Sequence, residues 1–303
     1  MTDLQRHLAD YLTLRRGLGY SLKRSEQLLK GFLARLAAEG VEVITTESAV
    51  AWATEPAGTL PTWWGLRLGV VREFARYVQA FESATQVPPR GLLPTGSARG
   101  EPYPYQDDDV AALMGAAGRL APKLRAFTYT TLIGLLATTG MRVGEAIALD
   151  RDDVDLGAGV VTVSFSKGGG RRHLPVSDST AAALAAYRQE RDTGRPGTDG
   201  FFVSTRGTRL IYSVVHRVFD GLVEDAALPP RGGRRCRPRL HGLRHRFAVT
   251  TLIGWYRAGV DVDARLPVLA SYLGHRGVAS TYWYLGADPE LLALASQRRE
   301  ALP

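Results

Sequence analysis

Apolar residues recur at helical spacing through the first 85 residues of the chain. One stripe consists of Leu4, Leu8, Tyr11 and Leu12. A second stripe with the same period of about 3.6 residues consists of Leu28, Leu29, Phe32, Leu33 and Leu36. Thr46 is placed to cap a short third helix, and a fourth helix follows Pro61 in the sequence TWWGLRLGVVREFARYVQAF. The pattern predicts a bundle of four helices.

Beyond residue 104 the pattern alternates between helical and extended segments. Three acidic residues at 107–109 open a helix, as the helix dipole favours, and the apolar helix FTYTTLIGLLATTG ends at Gly140. The β-branched run GVVTVSF and the run RRHLPV flank three glycines at 168–170, which predicts a β-hairpin. The expected fold class is mainly α with a small antiparallel β-sheet. Further helices are predicted at about 178–192 and 212–226 and from near His241.

A boundary separates the two patterns. Residues 87–104, VPPRGLLPTGSARGEPYP, contain five prolines and three glycines, a composition typical of an exposed linker. We therefore expect a helical domain over 1–86, a linker over 87–104 and an α+β domain over 105–303.

Composition narrows the class of protein. Apolar residues make up 45% of the 303 residues, which is ordinary for a globular chain, and no apolar run approaches the roughly 20 residues of a membrane span. Cys236 is the only cysteine, so neither a disulfide framework nor a cysteine-based metal cluster is expected. The N-terminus lacks the apolar core of a signal peptide. We expect a cytoplasmic protein that contacts no membrane.

Positive charge indicates a polyanionic partner. The formal net charge is +8, and residues 231–246, RGGRRCRPRLHGLRHR, carry seven arginines and no acid. A general preference for arginine would give the same total charge, but it would not concentrate the arginines in one segment. The distribution favours a nucleic acid as partner.

Arg142 and Lys167 are the first candidates for chemistry on a phosphate. Arg142 precedes Glu145 by three residues, so the two side chains share a helix face and can pair. A guanidinium oriented in this way can grip a phosphate with two hydrogen bonds. Lys167 lies on the glycine-flanked turn of the hairpin, where an ammonium group can reach a ligand. A surface ion pair and an exposed turn lysine are the alternative interpretations.

The remaining candidates follow the arginine-rich segment. His241 and Arg244 are one helical turn apart at the start of a predicted helix, where backbone amides favour anions. His275 follows Gly274, a predicted helix stop, and Tyr284 comes nine residues later. Tyr282 competes with Tyr284, because two residues on a helix point roughly 200° apart and only one of them can face a bound phosphate. These residues alone do not decide between the tyrosines.

The order and spacing of these residues resemble the tyrosine recombinase (phage integrase) family over about residues 101–296. That family has an arginine in a T-G-x-R box, a hairpin lysine, an H-x-x-R pair, a histidine or tryptophan after L-G, and a tyrosine nine residues beyond it. The resemblance assigns Tyr284 as the nucleophile, although TYWYL replaces the more frequent polar box. Residues 1–85 resemble the family's core-binding domain in helical content and position. The six matching positions are Arg142, Lys167, His241, Arg244, His275 and Tyr284.

The resemblance implies a DNA strand transferase that needs neither cofactor nor metal. Tyr284 would attack a phosphodiester to give a 3′-phosphotyrosyl intermediate, while Arg142 and Arg244 clamp the non-bridging oxygens and His275 donates a hydrogen bond. Lys167 would protonate the leaving 5′-oxygen, His241 would assist proton transfer, and Glu145 would support the site. Contacts to the DNA backbone are expected from Arg171, Arg172, Arg234, Arg235, Arg237 and Arg239.

The resemblance also implies partners and alternatives. Double-stranded DNA is the expected substrate, and strand exchange requires a homo-oligomer of two to four protomers on DNA. The segment DPELLALASQRREALP is predicted to form an amphipathic helix that docks between protomers. DNA-bending or directionality proteins are further expected partners. The leading function that the resemblance implies is site-specific DNA recombination for integration, excision or transposition, with a loose likeness to members carried by transposable elements. A type IB topoisomerase and a catalytically silent DNA-binding regulator are the alternative functions.

Overall fold

The structure is a computed structural model that describes residues 3–94, 102–164, 170–194, 197–231, 236–275, 277, 279–285 and 289–300. The described helices and strands form two compact units, the N-terminal unit and the C-terminal unit. Within the described residues, no helix combines the length and the apolar character needed to cross a membrane. The expected mainly helical fold with a small antiparallel sheet is confirmed.

The N-terminal unit contains the four predicted helices. Its core comes from the two predicted stripes together with Trp52 and Phe74. The cap of α3 is Thr45 rather than the predicted Thr46, because the Thr45 hydroxyl accepts a hydrogen bond from the backbone N–H of Ser48 at 3.1 Å. The helices are α1 Asp3–Gly17, α2 Lys23–Ala38, α3 Thr46–Thr54 and α4 Pro61–Val78.

Both ends of the segment predicted as an exposed linker are packed. Arg72 donates to the carbonyl oxygens of Pro88 and Pro89 at 2.7 and 2.8 Å, which fixes these two prolines on α4. At the other end, Tyr103 and Tyr105 are buried in the core of the C-terminal unit, and the Tyr103 hydroxyl donates to the carbonyl of Pro229. The expectation of an exposed segment over 87–104 is therefore wrong for Pro88 and Tyr103, which are both buried, while the domain bounds stay a prediction.

The C-terminal unit combines nine α-helices with three short strands in its described part. The described α-helices are α5 Asp107–Gly118, α6 Lys123–Thr139, α7 Val143–Ala148, α8 Asp178–Thr193, α9 Tyr212–Asp225, α10 Leu240–Arg257, α11 Val262–Leu273, α12 Ala279–Leu285 and α13 Pro289–Glu300. The strands β1 Val154–Asp155, β2 Val160–Ser164 and β3 Arg171–Pro175 pair antiparallel in that order. Residues 165–169, which include Lys167, lie outside the described residues.

The C-terminal helix α13 packs on its own domain. Leu291 is fully buried in a cluster shared with α10, α11 and α12, whereas Leu292 is half exposed. Arg257 on α10 pairs with Glu290, and Arg298 donates to the carbonyl of Val260. Docking of this helix between protomers stays a prediction.

Candidate active site

The end of α6 positions Arg142. Gly140 ends the helix with φ of +60°, a left-handed conformation that glycine adopts without strain. Two residues later Arg142 becomes the N-cap of α7, and Glu145 at position N3 accepts from its backbone N–H at 2.8 Å. The Arg142 guanidinium donates to the other oxygen of Glu145, also at 2.8 Å. The predicted pairing of Arg142 with Glu145 is thus present as a capping box with an added ion pair.

A second arginine, Arg172, shares the same carboxylate. It donates two hydrogen bonds to the oxygens of Glu145, at 2.6 and 3.2 Å, and its side chain is 8% exposed. Burial would raise the pKa of Glu145, but the hydrogen bonds from Arg172 and from the backbone of Arg142 outweigh it and lower the pKa. We call Arg142, Glu145 and Arg172 the arginine–glutamate cluster.

This placement corrects the expectation that Arg172 contacts DNA as an exposed hairpin residue. Side chains alternate between the faces of a strand, and along β3 Arg171 and His173 are exposed while Arg172 and Leu174 are buried. Arg172 therefore points inward toward Glu145, and Arg171 is the arginine of β3 that solvent can reach.

Arg244 lies in the first turns of α10 and is 2% exposed. Its guanidinium donates to the carbonyl oxygens of Gly140 at 2.8 Å and Leu273 at 2.6 Å. Burial lowers its pKa, and the nearby charge of Arg142 lowers it further. The site thus holds two guanidinium groups close together, an arrangement that a bound anion would stabilise.

The end of α11 supplies carbonyl oxygens to both arginines. Gly274 ends this helix with φ of +67°, so the Leu273 carbonyl is free to accept from Arg244 and the Gly274 carbonyl accepts from Arg142 at 3.2 Å. A helix C-terminus carries partial negative charge, which favours cations there. The predicted helix stop at Gly274 is therefore also a structural support for the two arginines.

His275 follows directly after this helix end. Its Nδ1 is 2.8 Å from the hydroxyl of Thr281, which is completely buried. Burial lowers the pKa of His275 from 6.5 to about 4, so its imidazole is neutral at pH 7. Positive charges add to this effect, and they come from Arg244, Arg142, Arg172 and His241.

Tyr284 and Tyr282 have different surroundings on α12. The Tyr284 side chain is 3% exposed and hydrogen-bonds with Arg244. Its ring lies 5.9 Å from the His275 ring at an angle of 20° and 5.2 Å from the ring of His245. Tyr282 is 52% exposed. The structure therefore brings Tyr284 together with Arg244 and His275, and it leaves Tyr282 at the surface.

The other predicted site residues are at the surface or outside the described residues. His241 is exposed in the first turn of α10, where it is near enough to lower the pKa of His275. Arg171, Arg237 and Arg239 are exposed. Lys167, Arg234 and Arg235 lie outside the described residues.

The segment 231–246 has acidic partners that are remote in sequence. Asp109 pairs with Arg231, and Asp107 pairs with Arg246. The acidic run at 107–109 was predicted to interact favourably with the dipole of the helix that it opens. Two of its residues also pair with two of the seven arginines. The positive charge of this segment is thus smaller than its sequence suggests.

The sequence analysis did not identify His245, whose ring contacts Tyr284, or Thr281, whose hydroxyl contacts His275. The serine–threonine pair before Tyr282 could have suggested a helix start, but nothing in its spacing indicated contact with His275. No group of three or more His, Cys, Asp or Glu residues that could hold a metal ion occurs in the part of the chain that the structure describes.

Similarity to known proteins extends over most of the chain. A model of the phage integrase family matches residues 105–290. Over 99% of its length the chain is 41% identical to y4rB of Sinorhizobium fredii, an integrase/recombinase by name, and it covers 98% of that protein. It is 30% identical to the tyrosine recombinase XerC of Azotobacter vinelandii over 75% of this chain and 70% of that one.

Solved structures show the same fold. The integrase of transposon Tn1549, in complex with transposon right end DNA, matches with a TM-score of 0.65 at 17% identity, and both chains are covered to 100%. The XerH site-specific recombinase bound to its difH substrate matches with a TM-score of 0.62 at 18% identity, over 85% of this chain and 73% of that one.

Proposed function

This chain belongs to the phage integrase family of tyrosine recombinases, and from that premise we propose that it cleaves and rejoins DNA at specific sites through a 3′-phosphotyrosyl intermediate. The observation that carries the proposal is the contact of Tyr284 with Arg244, beside Arg142 and His275. A tyrosine hydroxyl that hydrogen-bonds with one guanidinium group, itself near a second, suits attack on a phosphodiester, because these groups stabilise the charge on the phosphate.

We assign roles by the chemistry that each group can perform. The hydroxyl of Tyr284 must lose its proton as it attacks phosphorus, so Tyr284 needs a proton acceptor and a site that stabilises developing negative charge. Arg142 and Arg244 would bind the two non-bridging oxygens, and neutral His275 would donate one further hydrogen bond. His241 would assist proton transfer at Tyr284, and Lys167 would protonate the leaving 5′-oxygen.

Glu145 and Arg172 act as positioning residues in this proposal. Glu145 holds the guanidinium of Arg142 by one hydrogen bond and the backbone of Arg142 by another. Arg172 donates to both oxygens of Glu145 and keeps it ionised. The arginine–glutamate cluster would therefore fix Arg142 before DNA arrives, which is what electrostatic preorganisation requires.

Duplex DNA and copies of the same chain are the proposed partners. Structures with this fold include a lambda integrase dimer bound to a core site and a lambda integrase tetramer bound to a Holliday junction. Exposed Arg171, Arg237 and Arg239 are suited to backbone contacts, and Arg234 and Arg235 are proposed to join them. We propose action in the cytoplasm as a dimer to tetramer on DNA, with DNA-bending or directionality proteins as further partners.

A covalent-adduct assay tests the proposed function. Duplexes that carry the DNA flanking the gene on either side would have nicks at staggered positions. A nick a few nucleotides 3′ of the cleaved bond lets the short fragment with the free 5′-hydroxyl diffuse away, so that religation fails and the adduct accumulates. We expect a protein–DNA band that resists denaturation, that forms in EDTA without any nucleotide, and that protease removes. Absence of an adduct across all flanking DNA, together with tight binding to it, would favour the silent regulator.

The same protein distinguishes recombination from topoisomerase activity. A plasmid that lacks the flanking DNA should keep its supercoils, because a site-specific enzyme does not cleave arbitrary sequences. Relaxation of such a plasmid by the monomer would favour the type IB topoisomerase.

A further inference from the structure

Thr281 contributes a buried hydroxyl next to the site. The side chain is completely buried, and its Oγ1 is 2.8 Å from Nδ1 of His275. Among the residues that the structure describes, Nδ1 of His275 is the single hydrogen-bond partner of this hydroxyl. Thr281 is on α12, three residues before Tyr284, so one short helix carries both the hydroxyl and the nucleophile.

The direction of this hydrogen bond follows from burial. A threonine hydroxyl has one hydrogen to donate, and a buried donor left without an acceptor is destabilising. If Nδ1–H donated to Thr281, the hydroxyl hydrogen would have no acceptor among the described groups. The favourable arrangement has the hydroxyl donating to Nδ1, which then carries no hydrogen.

The direction of this hydrogen bond matters because His275 is neutral. Because its pKa is lowered to about 4, the imidazole is neutral at pH 7 and carries a hydrogen on one ring nitrogen. The hydrogen bond at one nitrogen decides which of the two it is. With Nδ1 accepting from Thr281, the hydrogen is on Nε2.

We propose that Thr281 is a positioning residue that holds His275 in the tautomer with its hydrogen on Nε2. The inference rests on the proposed function, in which His275 donates to a phosphate oxygen. In the held tautomer Nε2–H is a donor, whereas in the other tautomer Nε2 would present a lone pair to that oxygen and repel it. Neutral His275 can therefore donate a hydrogen bond from Nε2 to a phosphate oxygen.

The tautomer can be observed without DNA. Protein labelled with ¹⁵N in its histidine rings gives two-bond correlations that distinguish a protonated ring nitrogen from an unprotonated one, and the His275→Gln variant identifies the signals of His275 among the six histidines. We expect an unprotonated Nδ1 and a protonated Nε2 at pH 7. In Thr281→Val, which keeps the branched shape and loses the hydroxyl, both tautomers should be populated. A protonated Nδ1 in the unmodified protein would overturn the inference.

Cleavage kinetics provide the second readout. On a nicked duplex that gives an adduct, Thr281→Val should slow adduct formation by about tenfold, the kinetic equivalent of one neutral hydrogen bond. DNA affinity should not change, and Thr281→Ser should retain the rate because it keeps the hydroxyl. Ser280→Ala is the matched control, since Ser280 is the exposed neighbouring hydroxyl. In a His275→Gln background, Thr281→Val should slow the reaction no further.

The outcomes separate this inference from the proposed function. A normal rate of adduct formation in Thr281→Val overturns the inference and leaves the proposed function intact. An equal slowing by Thr281→Val in the His275→Gln background would also overturn it, because the effect would then not pass through His275. If the unmodified protein forms no adduct, the proposed function fails, while the ring nitrogens still report the tautomer.

Discussion

Tyr284 and Tyr282 are two residues apart on α12. Tyr284 is 3% exposed, whereas Tyr282 is 52% exposed. Helix geometry turns the two side chains roughly 200° apart, so α12 can direct one tyrosine at the arginines and not both. The hydrogen bond between Tyr284 and Arg244 identifies the one that faces the site.

Removal of the two hydroxyls, one at a time, gives the first prediction. Tyr284→Phe should abolish the covalent adduct and leave DNA affinity unchanged, because the substitution removes one oxygen and keeps the ring. Tyr282→Phe, the matched control at the surface, should form the adduct at the normal rate. Gel detection of the adduct with both variants checks the assignment, and the reverse pattern would assign the nucleophile to Tyr282.

Two adjacent arginines of β3 should behave differently. Arg172→Met removes two hydrogen bonds to Glu145, so we expect a loss of roughly 1–3 kcal/mol in unfolding free energy and slower adduct formation. Arg171→Met should keep stability and cleavage and lower DNA affinity, with a shallower salt dependence. Urea unfolding and binding titrations measure the two effects. Equal behaviour of the variants in both assays would contradict the inward placement of Arg172.

The lowered pKa of His275 predicts a pH dependence of stability. Between pH 6.5 and about 4, the unfolded chain binds a proton at this histidine and the folded chain does not. Stability should therefore fall as the pH is lowered through this window, and His275→Gln should make the fall shallower. The check is the urea midpoint at pH 7, 6 and 5. His173→Gln, at an exposed histidine of β3, is the control, and an unchanged slope in His275→Gln would contradict the prediction.

At the scale of elements, the glycine between His241 and Arg244 fixes the position of α10. A Cβ at Gly242 would lie 2.6 Å from Cε2 of Tyr105, closer than packed carbon atoms approach. The Tyr105 hydroxyl in turn donates to the carbonyl of Arg239, the N-cap residue of α10. Close packing against Tyr105 thus sets where the helix begins and where it presents Arg244.

Two glycines of the same helix provide a matched prediction. Gly242→Ala should destabilise the protein by about 1–3 kcal/mol, the usual effect of overpacking. Gly254→Ala should stabilise the protein by roughly 0.5–1 kcal/mol, because alanine favours the helix more than glycine does. Gly254 is exposed on α10, and an added Cβ would have open space around it. Thermal unfolding of the two variants checks the signs, and stabilisation by Gly242→Ala would contradict the packing.

Local sequence patterns predicted most elements and failed where the determinant is remote. The stripes of α1 and α2, the acidic start of α5 and the glycine stop of α6 depend on neighbours within a few residues, and the structure contains them. The pairs Asp109–Arg231 and Asp107–Arg246 join residues more than 100 positions apart, so no local period indicates them. The inward turn of Arg172 likewise depends on the presence of Glu145 opposite β3.

At the scale of the whole molecule, the two units have separate hydrophobic cores. The core of α1–α4 is built from residues of the N-terminal unit, and the C-terminal unit has its own clusters. Charge is divided as well. Residues 1–99 carry 12 basic and 9 acidic side chains, a net of +3, and the remaining residues carry the other +5 of the total +8. We propose that both units bind one duplex.

Truncation before residue 101 tests this proposal. The C-terminal unit alone should bind the flanking DNA at least about tenfold more weakly than the whole chain, because linking two modules raises the effective concentration of the second. Its affinity should also fall less steeply with salt, since fewer counterions are released. Mixing the two units as separate chains should not restore the affinity, because the linkage is lost. Undiminished affinity of the C-terminal unit would mean that the N-terminal unit serves another partner.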